Sequence, residues 1–287
     1  MCNYYYFFIK GHDHPIGYSH RAFVEQMTDI WTSVPGWALD HEKRYLTLTG
    51  ATTFDERSAV VEKTLRAAVN SGRVKEVRSW VNEPFRVVTS NNEHVLNMDG
   101  SGLSAFGVIN FACHLIGYVM TKDGRKFWVP RRSRHKMSYP GMLDNTTGGS
   151  LNATETPFEC IVRECEEEIS LEPEYTRSNI VACGTAGFHL SRTDSGDPGC
   201  QLQVQYLYEM ELSQDVIPKI GDDEVDEILL LTLDEVKQAL INGEFKLNCA
   251  MTWLAFLIRH GDVTAEEEQN LLEICARLHR KHDLFVV

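Results

Sequence analysis

The sequence predicts an α/β protein in two parts, a smaller α+β unit followed by a larger one. Three observations point there. Short strand-like runs alternate with helical ones through residues 1 to about 100, a polar stretch then interrupts them, and the alternation resumes with longer strands and helices. Taken in order, Tyr4–Ile9 reads as a strand, Ala22–Trp31 as a helix, Tyr45–Leu48 as a strand and Ser58–Ser71 as a long helix starting near Asp55. Val60, Val61, Leu65 and Ala68 form the apolar repeat of that helix. Ser90–Gly102 (SNNEHVLNMDGSG) is polar and glycine-containing, which marks a boundary between units at 1–103 and 104–287. Beyond it, Val108–Met120 and Lys126–Pro130 read as strands leading into a loop and a helix that follows Thr156. Gln201–Tyr206 alternates strictly, as a strand with one apolar and one glutamine face does. Thr232–Glu235 opens another capped helix, Asn248–Arg259 is helical and strongly apolar, and Thr264–Lys281 is amphipathic. There are no internal repeats or low-complexity segments.

Length and composition exclude several function classes. The 287 residues exceed one typical domain and suffice for a sizeable core. With 43% hydrophobic and 24% charged residues, the chain has the make-up of an ordinary globular protein. A net charge of −13 argues against broad nucleic-acid binding, which needs a basic footprint. The eight cysteines are scattered without a C-x-x-C pair, a pattern of reduced thiols in a cytoplasmic compartment and not of a zinc site. The opening MCNYYYFFIKGHDH lacks the basic region of a signal peptide, and no stretch has the ~20 apolar residues of a membrane span.

Chemistry concentrates in Gly149–Leu171, GSLNATETPFECIVRECEEEISL. Thr156, Pro157 and Glu159 stand as cap, first helical residue and third, a capping box. Phe158, Ile161, Val162, Cys165 and Ile169 form one apolar stripe. At ~100° per residue, Glu164, Glu167 and Glu168 share one flank of that stripe, while Glu159 and Glu166 fall on the other. Clustered like charges repel. A bare glutamate run is commonly a solvated face, but here a Gly-Gly turn precedes it and Arg163 adjoins it. The cluster of three suits Mg²⁺ (or Mn²⁺), which binds carboxylates together with substrate phosphates.

These residues resemble the Nudix box, G-x5-E-x7-R-E-U-x-E-E-x-G-U. Gly149, Glu155, Arg163, Glu164, Cys165, Glu167, Glu168 and Leu171 match, and Ser170 replaces the last glycine. That position ends the helix, where a positive φ is common, so serine carries a modest backbone penalty. The resemblance implies an α/β/α sandwich with a mixed sheet and metal-dependent hydrolysis of a small-molecule diphosphate. It implies Glu164, Glu167 and Glu168 as metal ligands and catalytic groups, with Gly149, Glu155 and Arg163 supporting them. A further carboxylate often comes from a later loop, and Glu224 in DDEVDE fits that placement as ligand or base. Its neighbours read as a solvated loop.

Trp128–Lys136 (WVPRRSRHK) is the densest basic stretch, with Arg132 and Lys136 as candidate phosphate contacts. Gln203 and Gln205 are candidates for the same cleft. His189 reads more simply as a surface or core histidine. Together with DDEVDEILLLTLDEVKQALINGEFKLNCAMTWLAFLIRHG, this region resembles the Nudix hydrolases related to thiamine pyrophosphokinase, which have an N-terminal companion domain. No P-loop is present, so kinase activity is not implied. What is implied is hydrolysis of thiamine diphosphate, preferentially its oxidised or damaged analogues (oxothiamine or oxythiamine diphosphate), to the monophosphate and phosphate. Trp128, Tyr139 or Phe188 would stack on the ring. The alternatives are a general nucleoside-diphosphate-X hydrolase acting on ADP-ribose or NADH and a non-catalytic ligand-binding domain. An isomerase of isopentenyl diphosphate is disfavoured by the threonines of LDNTTGG. A homodimer is left open.

Overall fold

The computed structural model describes residues 3–136, 138–192, 199–279 and 284. Its N-terminal unit comprises β1 (Tyr4–Ile9), β2 (Gly17–His20), α1 (Arg21–Gln26), α2 (Thr28–Ser33), β3 (Trp37–Asp40), β4 (Tyr45–Leu48), α3 (Phe54–Ser71), β5 (Pro84–Val88), β6 (His94–Asp99) and α4 (Leu103–Phe106). Four strands form a sheet in the order β2-β1-β4-β3, with β1 and β4 parallel, and β5 and β6 form a separate pair. α3 begins with a complete Thr53–Glu56 capping box and ends at Gly72 with φ +63°. Phe7, Phe23, Leu65 and Phe106 lie in its core.

Two expectations change here. The single helix expected over Ala22–Trp31 is two short ones, broken at Met27 (ψ 4°), whose side chain is fully buried. The polar boundary stretch Ser90–Gly102 also holds a strand. β6 pairs with β5 and places Val95, Leu96 and Met98 in the core. Its polar residues serve the backbone: Asp99 accepts from the amides of Val81, Asn82 and Ser101.

The second unit comprises β7 (Ile109–Thr121), β8 (Gly124–Arg132), β9 (Thr147–Ser150), α5 (Pro157–Ile169), α6 (Pro173–Asn179), β10 (Ile180–Arg192), β11 (Gly199–Glu211), β12 (Val225–Thr232), α7 (Leu233–Ile241), α8 (Leu247–Arg259) and α9 (Leu271–Leu278). Its mixed sheet runs β10-β11-β7-β8-β12, with β9 added on β7. Only β7 and β11 pair in parallel. β7 is buried on both faces, as a central strand should be. Cys113 and Leu115 meet Ile161, Cys165 and Ile169 of α5. Ile116, one step on and therefore facing the other way, meets Val236 of α7 and Trp253 and Phe256 of α8. Helices thus cover both sides in an α/β/α sandwich. In the amphipathic Thr264–Lys281 segment the helix is confined to Leu271–Leu278, and Lys281 lies outside the described residues. No described helix is long and apolar enough to cross a membrane, and the seven described cysteines are free thiols.

Candidate active site

α5 positions the acids. Thr156 Oγ1 accepts from the Glu159 amide at 3.2 Å. The reciprocal half of the expected capping box does not form, because both carboxylate oxygens of Glu159 accept from Arg177, at 2.7 and 2.5 Å. At the other end Ser170 takes φ +53°, the left-handed cap that its box position demands. Cys160 joins the buried face, whereas Phe158 is exposed. The buried arc therefore lies further round the helix than the expected stripe, and that rotation carries Glu164 and Glu168 inward. Side-chain exposure is 12% for Glu164 and 52% for Glu167.

Arg163 gathers the outer acids. It forms a two-pronged contact with Glu155 (3.0 and 3.2 Å), and its Nη1 meets Glu164 at 2.9 Å and Glu167 at 2.8 Å. Glu168 turns to β9 instead, accepting from Thr147 Oγ1 at 2.5 Å and from the Gly148 amide at 3.2 Å. Gly148 and Gly149 are strand residues rather than a turn, paired with His114 and Cys113 of β7. Glycine is required at 149 by close approach: a Cβ there would lie 1.9 Å from Glu164 Oε1. Gly221 likewise lets the loop before β12 rest on the end of α5, since its Cβ would meet the Glu167 carbonyl at 1.9 Å.

The electrostatics of this face call for a cation. Burial pushes the Glu164 carboxyl up to about 7 against the opposing charge of Arg163. Burial, then the neighbouring Glu164, pushes Glu168 up to about 8. Among the described residues, no three His, Cys, Asp or Glu side chains converge on one point. The donor set nonetheless fits a hard divalent ion such as Mg²⁺, which takes one or two carboxylates and fills its remaining positions with water and substrate phosphate.

Two spaces flank the acids. A narrow cleft is lined by Pro130, Arg132, Asp144, Asn145, Glu168 and Glu224. In it Arg132 Nη1 binds Asp144 at 2.6 Å while its Nε and Nη2 donate to the Ser138 carbonyl. Asp144 also accepts from the Cys249 thiol at 2.7 Å and has Lys246 Nζ at 3.9 Å. Burial raises its pKa, but Lys246 and Arg132 outweigh burial and hold it at about 2. Lys136 pairs with Glu224 at 2.6 Å. The second space is a cavity of about 670 Å³ whose walls include Asn110, Tyr139, Phe188, Gln203, Lys246 and Asn248. Ser150, the residue after Gly149, also lines it. Trp128 lies outside it, packed on the α5 side of the sheet.

With this geometry the comparisons are decisive. The NUDIX domain model matches residues 115–253, and a domain of unknown function, DUF4743, matches 3–110. The uncharacterized Saccharomyces cerevisiae protein YJR142W is 32% identical over 277 residues, covering 93% of this chain and 80% of that one. Nudix hydrolase 20, chloroplastic, of Arabidopsis thaliana is 29% identical over 274 residues, 93% of this chain and 71% of its own. This chain belongs to the Nudix hydrolase family. Among solved structures, DR0079 from Deinococcus radiodurans superposes with a TM-score of 0.42 at 19% identity, over 69% of this chain and all of that one. Nudix hydrolases generally use divalent metals.

Against that background, the residues singled out in the sequence divide by partner. Glu168 and Glu224 share the cleft, whereas Glu164 and Glu167 are drawn to Arg163. Both candidate phosphate cations are engaged with acids, Arg132 with Asp144 and Lys136 with Glu224. Gln203 lines the cavity; Gln205 lies behind it, fully buried, donating to the Gln203 side chain and the Asn248 carbonyl at 3.4 Å each. The glutamine face is therefore interior, under α8. Sequence reading passed over Asp144 and Lys246. The one available signal was Lys246 itself, a lysine between Phe245 and Leu247 at the mouth of an apolar helix. His189 also lines the cavity, with its Nε2 3.0 Å from the Cys200 sulfur.

A sharp test of this packing is Gly149→Ala. The new methyl group displaces the Glu164 carboxylate, held by Arg163, without touching the core. Turnover should fall by about tenfold or more while the melting temperature changes little, since ångström-scale misplacement is costly in catalysis. Unchanged turnover would mean that the Glu164 position is unimportant.

Proposed function

We propose that this Nudix hydrolase is a Mg²⁺-dependent (or Mn²⁺-dependent) diphosphatase acting on thiamine diphosphate, with oxidised or damaged analogues preferred, and releasing the monophosphate and inorganic phosphate. The observation that supports it is the cavity beside the carboxylates. At about 670 Å³ it has the size of a small-molecule site. It offers two aromatic rings, Tyr139 and Phe188, and four amide side chains, Asn110, Gln201, Gln203 and Asn248, and among the described residues no carboxylate. A cationic thiazolium would find ring faces there and an unfavourable lysine, whereas a neutral oxidised ring loses only the cation–π part. The choice of thiamine itself rests on the sequence resemblance.

Glu164, Glu167 and Glu168 would hold the metal, with Glu224 as a candidate further carboxylate. When bound, a divalent ion polarises the anhydride oxygens and acidifies a water. The chain's own groups do the rest. A carboxylate of this set, or Glu224, orients or deprotonates the attacking water, and Thr147 and Gly148 fix Oε2 of Glu168, which lines the cleft. Arg163 holds Glu155, Glu164 and Glu167 in register.

The deciding measurement is kcat/KM for thiamine diphosphate, its oxo analogue, ADP-ribose and NADH under one Mg²⁺ condition. The oxo analogue is expected to lead. If ADP-ribose or NADH exceeds both thiamine compounds by about tenfold, the thiamine reading falls and a general nucleoside-diphosphate-X hydrolase replaces it.

A further inference from the structure

We infer that Lys246 is the residue that binds the substrate's diphosphate, an inference that rests on reading this site as one for diphosphates. Four observations converge on it. First, Lys246 lines the ring cavity while its Nζ lies 3.9 Å from Asp144 Oδ2, and Asp144 lines the cleft that holds Glu168 and Glu224. Its ammonium therefore stands where a ring in one space and an anhydride in the other would join.

Second, the ammonium has donors to spare. Among the described residues Nζ makes no hydrogen bond, and 3.9 Å to Asp144 is an ion-pair distance only. Asp144 takes its hydrogen bonds from Arg132 at 2.6 Å and the Cys249 thiol at 2.7 Å, so it holds the Lys246 ammonium by charge alone. Third, Arg132 and Lys136, the two candidate phosphate contacts of the basic stretch, are committed to acids at 2.6 Å each, Arg132 to Asp144 and Lys136 to Glu224. Among the described residues no other Lys or Arg lines the ring cavity. Fourth, the backbone of Lys246 is pinned, its amide donating to the Leu143 carbonyl at 3.0 Å. It is also the N-cap of the 13-residue α8, without a side-chain cap hydrogen bond. The unpaired amides of the first helical turn add positive potential at the same place.

The chemistry is that of a point charge. A lysine ammonium with three free donors can follow a phosphate oxygen as the anhydride opens, which a planar guanidinium locked to Asp144 cannot. Because the contact is to the phosphates and not the ring, Lys246 would set affinity for any diphosphate the cavity accepts.

The experiment is calorimetric titration of imidodiphosphate, whose bridging N–H group resists hydrolysis, into the Mg²⁺-loaded full-length protein. Wild type, Lys246→Gln and Lys246→Arg are compared, with the melting temperature of each recorded. Lys246→Gln should weaken binding by about tenfold or more, and Lys246→Arg should stay within about threefold of wild type. In turnover, Lys246→Gln should raise KM more than it lowers kcat. Equal imidodiphosphate affinity in wild type and Lys246→Gln would overturn the inference, as would no measurable binding to wild type. Lysine-dependent binding without phosphate release from any diphosphate would leave Lys246 in place and remove the hydrolytic reading instead. A Lys246→Arg protein that melts like wild type but binds as poorly as Lys246→Gln would also count against a point-charge role.

Discussion

Glu168→Gln is expected to lower kcat by about 10²–10⁴-fold, the range contributed by a positioned charge or proton acceptor, with the fold intact. The side chain is half-buried, its Oε2 is oriented by Thr147 and Gly148, and it lines the narrow cleft with Glu224 and Asp144. Glutamine keeps the shape and can still accept from both donors, but it removes the negative charge. Glu164→Gln and Glu167→Gln should also cost orders of magnitude if the three acids act together. Glu166→Gln should change kcat by less than about twofold, because that side chain is exposed on the far flank. Comparable losses at Glu166 and Glu167 would remove the assignment of the helix face. So would an unchanged kcat in Glu168→Gln.

Removal of divalent metal should abolish turnover, with Mg²⁺ or Mn²⁺ restoring it and zinc removal having no effect. The same experiment has a readout independent of catalysis. Glu164 and Glu168 are acids whose folded values, about 7 and about 8, lie above the ordinary 4.5. Between those values the unfolded chain is ionised while the folded protein still holds the protons. The metal-free protein should accordingly lose stability as pH rises from about 4.5 through about 8, the opposite of a salt-bridged carboxylate. A bound cation favours the ionised form, so Mg²⁺ should raise the melting temperature more at about pH 8.5 than at about pH 5.5. Turnover in excess chelator would end the metal mechanism. A Mg²⁺ shift of equal size at both pH values would show that the buried acids are not where the cation binds.

What the sequence determined by itself lies within single elements. The limits of α5, its Thr156 cap and the left-handed Ser170 were legible because each is a local property of backbone or periodicity. The long helix α3 and the strand β11 were legible for the same reason. The strand within Ser90–Gly102 was hidden because polar composition does not distinguish a boundary loop from a strand whose polar groups serve neighbouring backbone, as around Asp99. Tertiary structure decided everything that depends on distant partners. Helical periodicity places Glu164, Glu167 and Glu168 near one another, but only the packing of Cys160 and Cys165 against β7 turns Glu164 and Glu168 inward and leaves Glu167 in solvent. The basic stretch announced phosphate contacts, yet Asp144 and Glu224 claim Arg132 and Lys136. Lys246, some hundred residues further along the chain, is delivered to the site by the pairing of residues 244–246 with Leu143. No spacing rule within one element could show that, since the contact exists only where two remote segments meet.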